Sequence, residues 1–378
     1  MPPFTANYPF SQSGKPDLLP TPERVGALPD YRGHGVVIAF IDAGFYPHPD
    51  FADHIVVHAD ATTHRIVEQK GSFRQNDLSW HGQMTVFIAA GDGSISGGKY
   101  RGIASRAQLV LVKVSNPRGQ IKEADILRGL RWVIDTHRRF NVRIVNISVG
   151  GDFESHDPKH PLHVAVRRLT EAGVVVVAAA GNKGSPFVVP PASAPEAITV
   201  GGVDDHNSLN RSLWTAYPNN YGVAYDDTSK PEITAPARWI ASPLLPESPV
   251  AREAQWLASL LQARNVAQAR RLLREAWMDL GLSESRYDAN IHAALQQRIH
   301  THKLIDARHQ HVDGTSVAAP IVSAVIAQML EANPRLTPPQ IRAILAATAQ
   351  PLTGVPRQKQ GAGVIDAARA VQAAKTYS

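Results

Sequence analysis

The chain has 378 residues, 43% of them hydrophobic, and a formal charge of +6. That length suits one large domain or two small ones with a real apolar core, and the scattered basic surplus forms no stripe of the kind that binds nucleic acid. The absence of cysteine excludes a disulfide framework, a thiol nucleophile and a cysteine-based zinc site.

Residues 1–34 are rich in Pro, Gly and polar residues and read as an N-terminal arm with turns. The opening Met1-Pro2-Pro3-Phe4-Thr5 lacks the basic and apolar regions of a signal peptide. The longest apolar run, 173–180, is too short to cross a bilayer. No membrane and no nucleic-acid partner is expected, and the expected location is cytoplasmic, with secretion as a mature form as the alternative.

From residue 35 to 378 the pattern is that of a single α/β domain. The run Val36–Ile41 is a buried strand, and Leu109–Val114, Ile144–Ser148, Val174–Ala179 and Ala197–Val200 repeat it. Such near-continuous, β-branched runs suit parallel strands covered on both faces. Helical patterns at Ala124–Arg139 and Leu162–Ala172 alternate with them, which predicts a doubly wound, mostly parallel sheet flanked by helices. The rhythm breaks at about 249–305. There Trp256, Leu257 and Leu260, then Ala269, Leu272 and Leu273, then Ile291, Leu295 and Ile299 fall at helical spacing, so a helical insertion is expected, with Gly281 as a stop. Helices follow at Ser316–Leu330, Thr337–Ala347 and Ile365–Ala374.

Three stretches place a reactive residue type at an element boundary: Ile41-Asp42-Ala43-Gly44, Trp80-His81-Gly82-Gln83-Met84-Thr85 and Gly314-Thr315-Ser316-Val317-Ala318-Ala319-Pro320. In open α/β sheets, sites form at the carboxyl ends of strands. A serine hydroxyl needs an imidazole to take its proton and a buried carboxylate to hold the imidazole's tautomer. A fourth stretch, Ala179-Ala180-Gly181-Asn182, offers a side-chain amide for a developing oxyanion, and the Ser316 N–H at a helix start offers a second donor.

With these residues the chain resembles the subtilases, the subtilisin-like serine peptidases, whose chain order is also Asp, His, Ser. The resemblance runs from about 34 to 374 apart from the insertion. It implies a serine endopeptidase acting on protein or peptide substrates through an acyl-enzyme, with Ser316 as nucleophile, His81 as base then acid, Asp42 as its orienter and Asn182 as oxyanion donor. It implies a substrate-binding strand along Ser148, Val149 and Gly150, with Ala179, Ala180 and Gly181 nearby, and a cis bond before Pro191. Peptide ligation from the same acyl-enzyme and a non-catalytic peptide-binding role are the alternatives. The sequence departs from the family in having Ala43 where Thr or Ser is usual, Gln83 for Thr, Val317 for Met and Ile321 for His. No cofactor is required. Calcium is left open: Asp50 aligns with a family ligand, while Gly91–Lys99 differs in length from the family's calcium loop. His300, His302, His309 and His311 lack the regular spacing of helical metal ligands. The insertion is expected to act as a lid or partner platform that restricts substrates.

Overall fold

The computed structural model describes residues 3–9, 17–71, 76, 78–283 and 286–377. In chain order the strands are β1 (Val37–Asp42), β2 (Ile55–Asp60), β3 (Val67–Gln69), β4 (Gln108–Lys113), β5 (Val142–Ile147), β6 (Val175–Ala179), β7 (Ile198–Asp204), β8 (Thr215–Ala216), β9 (Gly222–Val223), β10 (Ser229–Lys230), β11 (Ile233–Pro236), β12 (Ile240–Pro243) and β13 (His309–Val312). The helices are α1 (Thr21–Arg24), α2 (Ser79–Ala90), α3 (Glu123–Phe140), α4 (Pro161–Glu171), α5 (Pro249–Leu261), α6 (Val266–Ala276), α7 (Ala289–Thr301), α8 (Thr315–Ala332), α9 (Pro338–Thr348), α10 (Arg357–Gln360) and α11 (Ala367–Thr376). They divide into two compact units, residues 20–240 with 313–378, and residues 1–19 with 241–312.

The larger unit holds a sheet of order β11-β7-β6-β5-β1-β4-β2-β3, with β8 beside β7. Its pairings are parallel except for β2 with β3 and β7 with β8. The continuous apolar runs follow from helices on both faces. Val37, Ala39, Ile41, Val110, Val145 and Val176 pack with Ile126 and Leu130 of α3 and Leu162 and Val166 of α4. The intervening Ile38, Phe40, Leu109, Leu111 and Val177 are equally buried and point to the opposite face, where α2 and α8 lie on the sheet. Helix α8 is buried from Thr315 to Leu330. Its 18 residues have a mean hydropathy of 1.4, long and apolar enough by composition to cross a membrane, but 83% of it is buried as a core helix. The apolar runs do not disclose β2, which His58 and Asp60 interrupt, nor β11, which ends in Pro236.

The smaller unit changes the expected boundaries. Residues 1–34 are not one arm: the chain divides at 19/20, and 10–16 lie outside the described residues. Residues 3–8 belong with the helical segment. Phe4 is buried among Leu257, Leu273, Leu295 and Ile299, and the Gln296 side chain accepts from the Thr5 N–H at 3.0 Å and donates to the Thr5 carbonyl at 2.8 Å. The insertion is also wider than 249–305, because β12 and β13 pair at its base. Its three helices start where the sequence supplies a cap: the side chains of Ser248, Asn265 and Asp288 accept from first-turn N–H groups. Helix α6 ends at Ala276, and the chain then turns through Gly281.

One buried ion pair anchors the start of the larger unit. Arg24 and Asp205 are both fully buried at 2.7 Å, and Arg24 also donates to Asn207 Oδ1 and to the Trp239 carbonyl. Burial pushes the Asp205 carboxyl up, against the pull of Arg24. Removing one partner strands the other charge, so Arg24→Ala is expected to lower stability by about 3–5 kcal/mol, measured as the urea midpoint at unchanged slope.

Candidate active site

Three parallel strands deliver the site at one edge of the sheet. Asp42 is the last residue of β1, Ser148 follows β5 and Ala180 follows β6, and these strands are neighbours in the order β6-β5-β1. Parallel strands put all three carboxyl ends on one edge. The β5–β6 ladder ends at Ile147↔Ala178, so Ser148, Val149 and Gly150 emerge from the sheet, with Val149 half-buried and Gly150 exposed.

Asp42 is fully buried, a costly place for a carboxylate unless it is hydrogen-bonded. Its Oδ1 lies 2.6 Å from His81 Nδ1 and accepts from the Ala43 N–H at 2.6 Å, and its Oδ2 accepts from Thr85 Oγ1 at 3.1 Å. Helix α2 reaches Asp42 because residue 82 is glycine: a Cβ there would sit 2.1 Å from the Gly44 carbonyl oxygen. Burial lowers the His81 pKa, but the Asp42 charge and hydrogen bond more than offset this, and the imidazole titrates above its ordinary value. The His81 side chain is 21% exposed, so one edge of the base is open to a reactant.

Asn182 and Ser316 meet around Gly314. The point where a Gly314 Cβ would stand is 3.1 Å from Ser316 Oγ and 3.4 Å from Asn182 Nδ2, and Gly314 has φ +138°. Any side chain there would fill the space between hydroxyl and amide. Asn182 is oriented through its oxygen, which accepts from the Thr315 N–H at 2.8 Å and from Thr315 Oγ1 at 3.0 Å. Thr315 Oγ1 in turn accepts from the Gly181 N–H at 3.0 Å. The amide nitrogen is thereby turned away as a donor. Ser316 is the second residue of α8, where N–H groups have no helical acceptor.

The first turn of α8 has a second anchor. Pro320 lies inside the helix and has no N–H to give the carbonyl four residues back, that of Ser316. Ser148 Oγ donates to this carbonyl at 3.3 Å, Asn146 Nδ2 donates to Ser148 Oγ at 3.1 Å, and Ser323 Oγ donates to Asn146 Oδ1 at 3.0 Å. Ser148 therefore supports α8 as well as standing at the start of the expected substrate strand. The Pro190–Pro191 bond is cis, as expected, and Lys230–Pro231 is also cis. Thr85, Thr315, Asn146 and Ser323 carry no separate signal in the sequence. Spacing alone was available: Thr85 is one helical turn after His81 and Ser323 two turns after Ser316.

Asp50, the residue that aligns with a family calcium ligand, meets the 91–99 loop. It is fully buried, and its Oδ1 accepts from Ser94 Oγ at 2.7 Å and the Ile95 N–H at 2.9 Å. Both donors go to Oδ1, and the buried Oδ2 has no hydrogen-bond partner among the described residues; calcium would need six or more oxygens. Among the described residues no group of three or more His, Cys, Asp or Glu could hold a metal. The C-terminal histidines of the smaller unit have separate partners: His302 meets Glu253, His309 meets Asp306, His311 meets Asn7, and His300 meets the Thr5 carbonyl.

Gly314→Ala is expected to lower kcat/KM on a chromogenic peptide by roughly 100-fold, the cost of misplacing a reacting group by about 1 Å, with the protein still folded by circular dichroism.

Comparison with known proteins gives the family and the fold. The model of the subtilase family (Peptidase_S8) matches residues 33–364. The serine protease AprX of Bacillus subtilis is 30% identical over 347 residues, 90% of this chain and 66% of that protein. Subtilisin Savinase of Lederbergia lenta is 32% identical over 186 residues, 49% of this chain and 61% of Savinase. The chain thus spans less than two thirds of either relative's own length. Fervidolysin from Fervidobacterium pennivorans shares the fold with a TM-score of 0.64 at 19% identity, over 93% of this chain and 45% of that one. Sphericase shares it with a TM-score of 0.62 at 21% identity, over 88% of this chain and 91% of that one. With a matched span that begins before β1 and ends beyond α10, the chain belongs to the subtilase family.

Proposed function

We propose that the chain is a serine endopeptidase that hydrolyses peptide bonds in proteins or peptides through an acyl-enzyme. The observation that carries this reading is the 2.6 Å contact between buried Asp42 and His81 Nδ1. It fixes the tautomer whose Nε2 is free to act as a base. Ser316 Oγ attacks the scissile carbonyl carbon as His81 takes its proton, and the tetrahedral oxyanion receives hydrogen bonds from Asn182 Nδ2 and the Ser316 N–H. His81 then gives that proton to the leaving amine as the C–N bond breaks. Water repeats the sequence on the acyl-enzyme and releases the acid. The substrate main chain pairs along Ser148, Val149 and Gly150 as an added strand. The reaction needs no cofactor.

Intact mass after exposure to a fluorophosphonate tests the reading. One adduct on wild type and none on Ser316→Ala is the expected result. No adduct on folded wild type overturns it in favour of a non-catalytic peptide binder. The catalytic base must be neutral, and Asp42 raises its pKa. Activity is therefore expected to fall as pH drops through a value above the ordinary imidazole range and to hold on the alkaline side. In Asp42→Ala the upward causes are gone and burial remains, so the acid limb of the residual kcat/KM profile is expected to move to lower pH.

We assign the helical unit a part in substrate choice. It leaves the catalytic unit at 240/241 and rejoins it at 312/313, only a few residues before Ser316. Replacing 249–305 by a short linker is expected to raise kcat/KM on a folded protein relative to a short peptide. An unchanged ratio in a folded variant removes that role.

A further inference from the structure

Asp42 has two carboxylate oxygens with unequal support. Oδ1 has the His81 contact and the Ala43 N–H. Among the described residues Oδ2 has one donor, the Thr85 hydroxyl at 3.1 Å. Thr85 is fully buried in α2, one turn beyond His81, so a single helix presents both the base and the second donor to the same carboxylate. The hydroxyl also lies 3.0 Å from the Gly82 carbonyl, which already has the helical N–H of residue 86. Its single proton goes to the stronger acceptor, the ionised carboxylate. Residue 43, where a family hydroxyl is usual, is alanine here, so the hydroxyl beside Asp42 comes from a different element. The cation next to Asp42 in register, Lys113, is engaged elsewhere, 2.9 Å from Asp60.

We propose that Thr85 is a positioning residue for Asp42: its hydroxyl fixes Oδ2, and with it the plane in which Oδ1 is offered to His81. The proposal rests on the Asp42–His81–Ser316 reading above. Without the hydroxyl, Oδ2 is a buried charged oxygen without a donor among the described residues, and the carboxylate gains freedom to turn about its Cβ–Cγ bond. His81 would then spend less time in the orientation and tautomer that suit proton transfer.

Thr85→Val keeps the side-chain shape and deletes the donor. The expected result is a roughly tenfold fall in kcat and in the rate of fluorophosphonate labelling at Ser316, the scale of one hydrogen bond to a charged group. KM should stay within about twofold, because the lost contact touches no substrate group. The acid limb of kcat/KM should move to lower pH, because a looser Asp42 holds the His81 proton less firmly. Thr85→Ser restores the hydroxyl and should bring the rate back to within about threefold of wild type. If Thr85→Val labels at the wild-type rate with an unmoved acid limb, or if Thr85→Ser is as slow as Thr85→Val, the proposal is overturned while the triad reading stands. If folded wild type does not label at all, the triad reading fails, and this proposal falls with it.

Discussion

The Ser316 carbonyl has lost its helical donor to Pro320, and the Ser148 hydroxyl takes that place. The rest of the site depends on this arrangement. A helix start is the least constrained part of a helix, since its first N–H groups lack internal partners. Here that start must hold a hydroxyl and an N–H in fixed directions. It is tied on one side to the end of β5 through Ser148 and Asn146, and on the other to the loop after β6 through Thr315 and Asn182. Both ties come from carboxyl ends of adjacent parallel strands, so the rigidity of the sheet passes directly to the proposed nucleophile.

The same logic governs the other half of the site. Asp42, whose preceding residue Ile41 is paired with Ile147 of β5, stands at the end of a central strand and is paired with Lys113 of β4. Its carboxylate is buried and takes its donors from its own chain neighbour and from α2. Glycine at 82 lets α2 come close enough for this. The shift in the His81 pKa is a consequence of that packing: burial alone would lower it, and the charge held beside it reverses the sign.

The smaller unit shows how chain segments remote in sequence build one core. Phe4 enters the cluster formed by α5, α6 and α7, and Gln296 hydrogen-bonds both backbone groups of Thr5. Helices of 11 to 13 residues are marginal in isolation. Here they gain stability from a shared apolar face and from side-chain caps at each start. The histidines that crowd this segment meet separate partners, two carboxylates, an amide and a backbone carbonyl.

The sequence by itself determined the alternation of strands and helices, because burial on both faces demands unbroken apolar runs that are visible in one dimension. It also offered Asp42, His81, Asn182 and Ser316 as candidates, through short stretches at strand ends and helix starts and through the family resemblance those stretches carry. It did not disclose β2 or β11, where polar residues and a proline interrupt the apolar signal and pairing with neighbouring strands decides the conformation. Nor did it show that residues 3–8 belong with the helical segment, since a single buried phenylalanine has no periodicity. The supporting contacts of Thr85, Thr315, Asn146 and Ser323 were decided only by the tertiary structure. A hydroxyl or amide carries no local mark of its partner, and each of these hydrogen bonds exists because separate elements of the chain are brought within about 3 Å of one another.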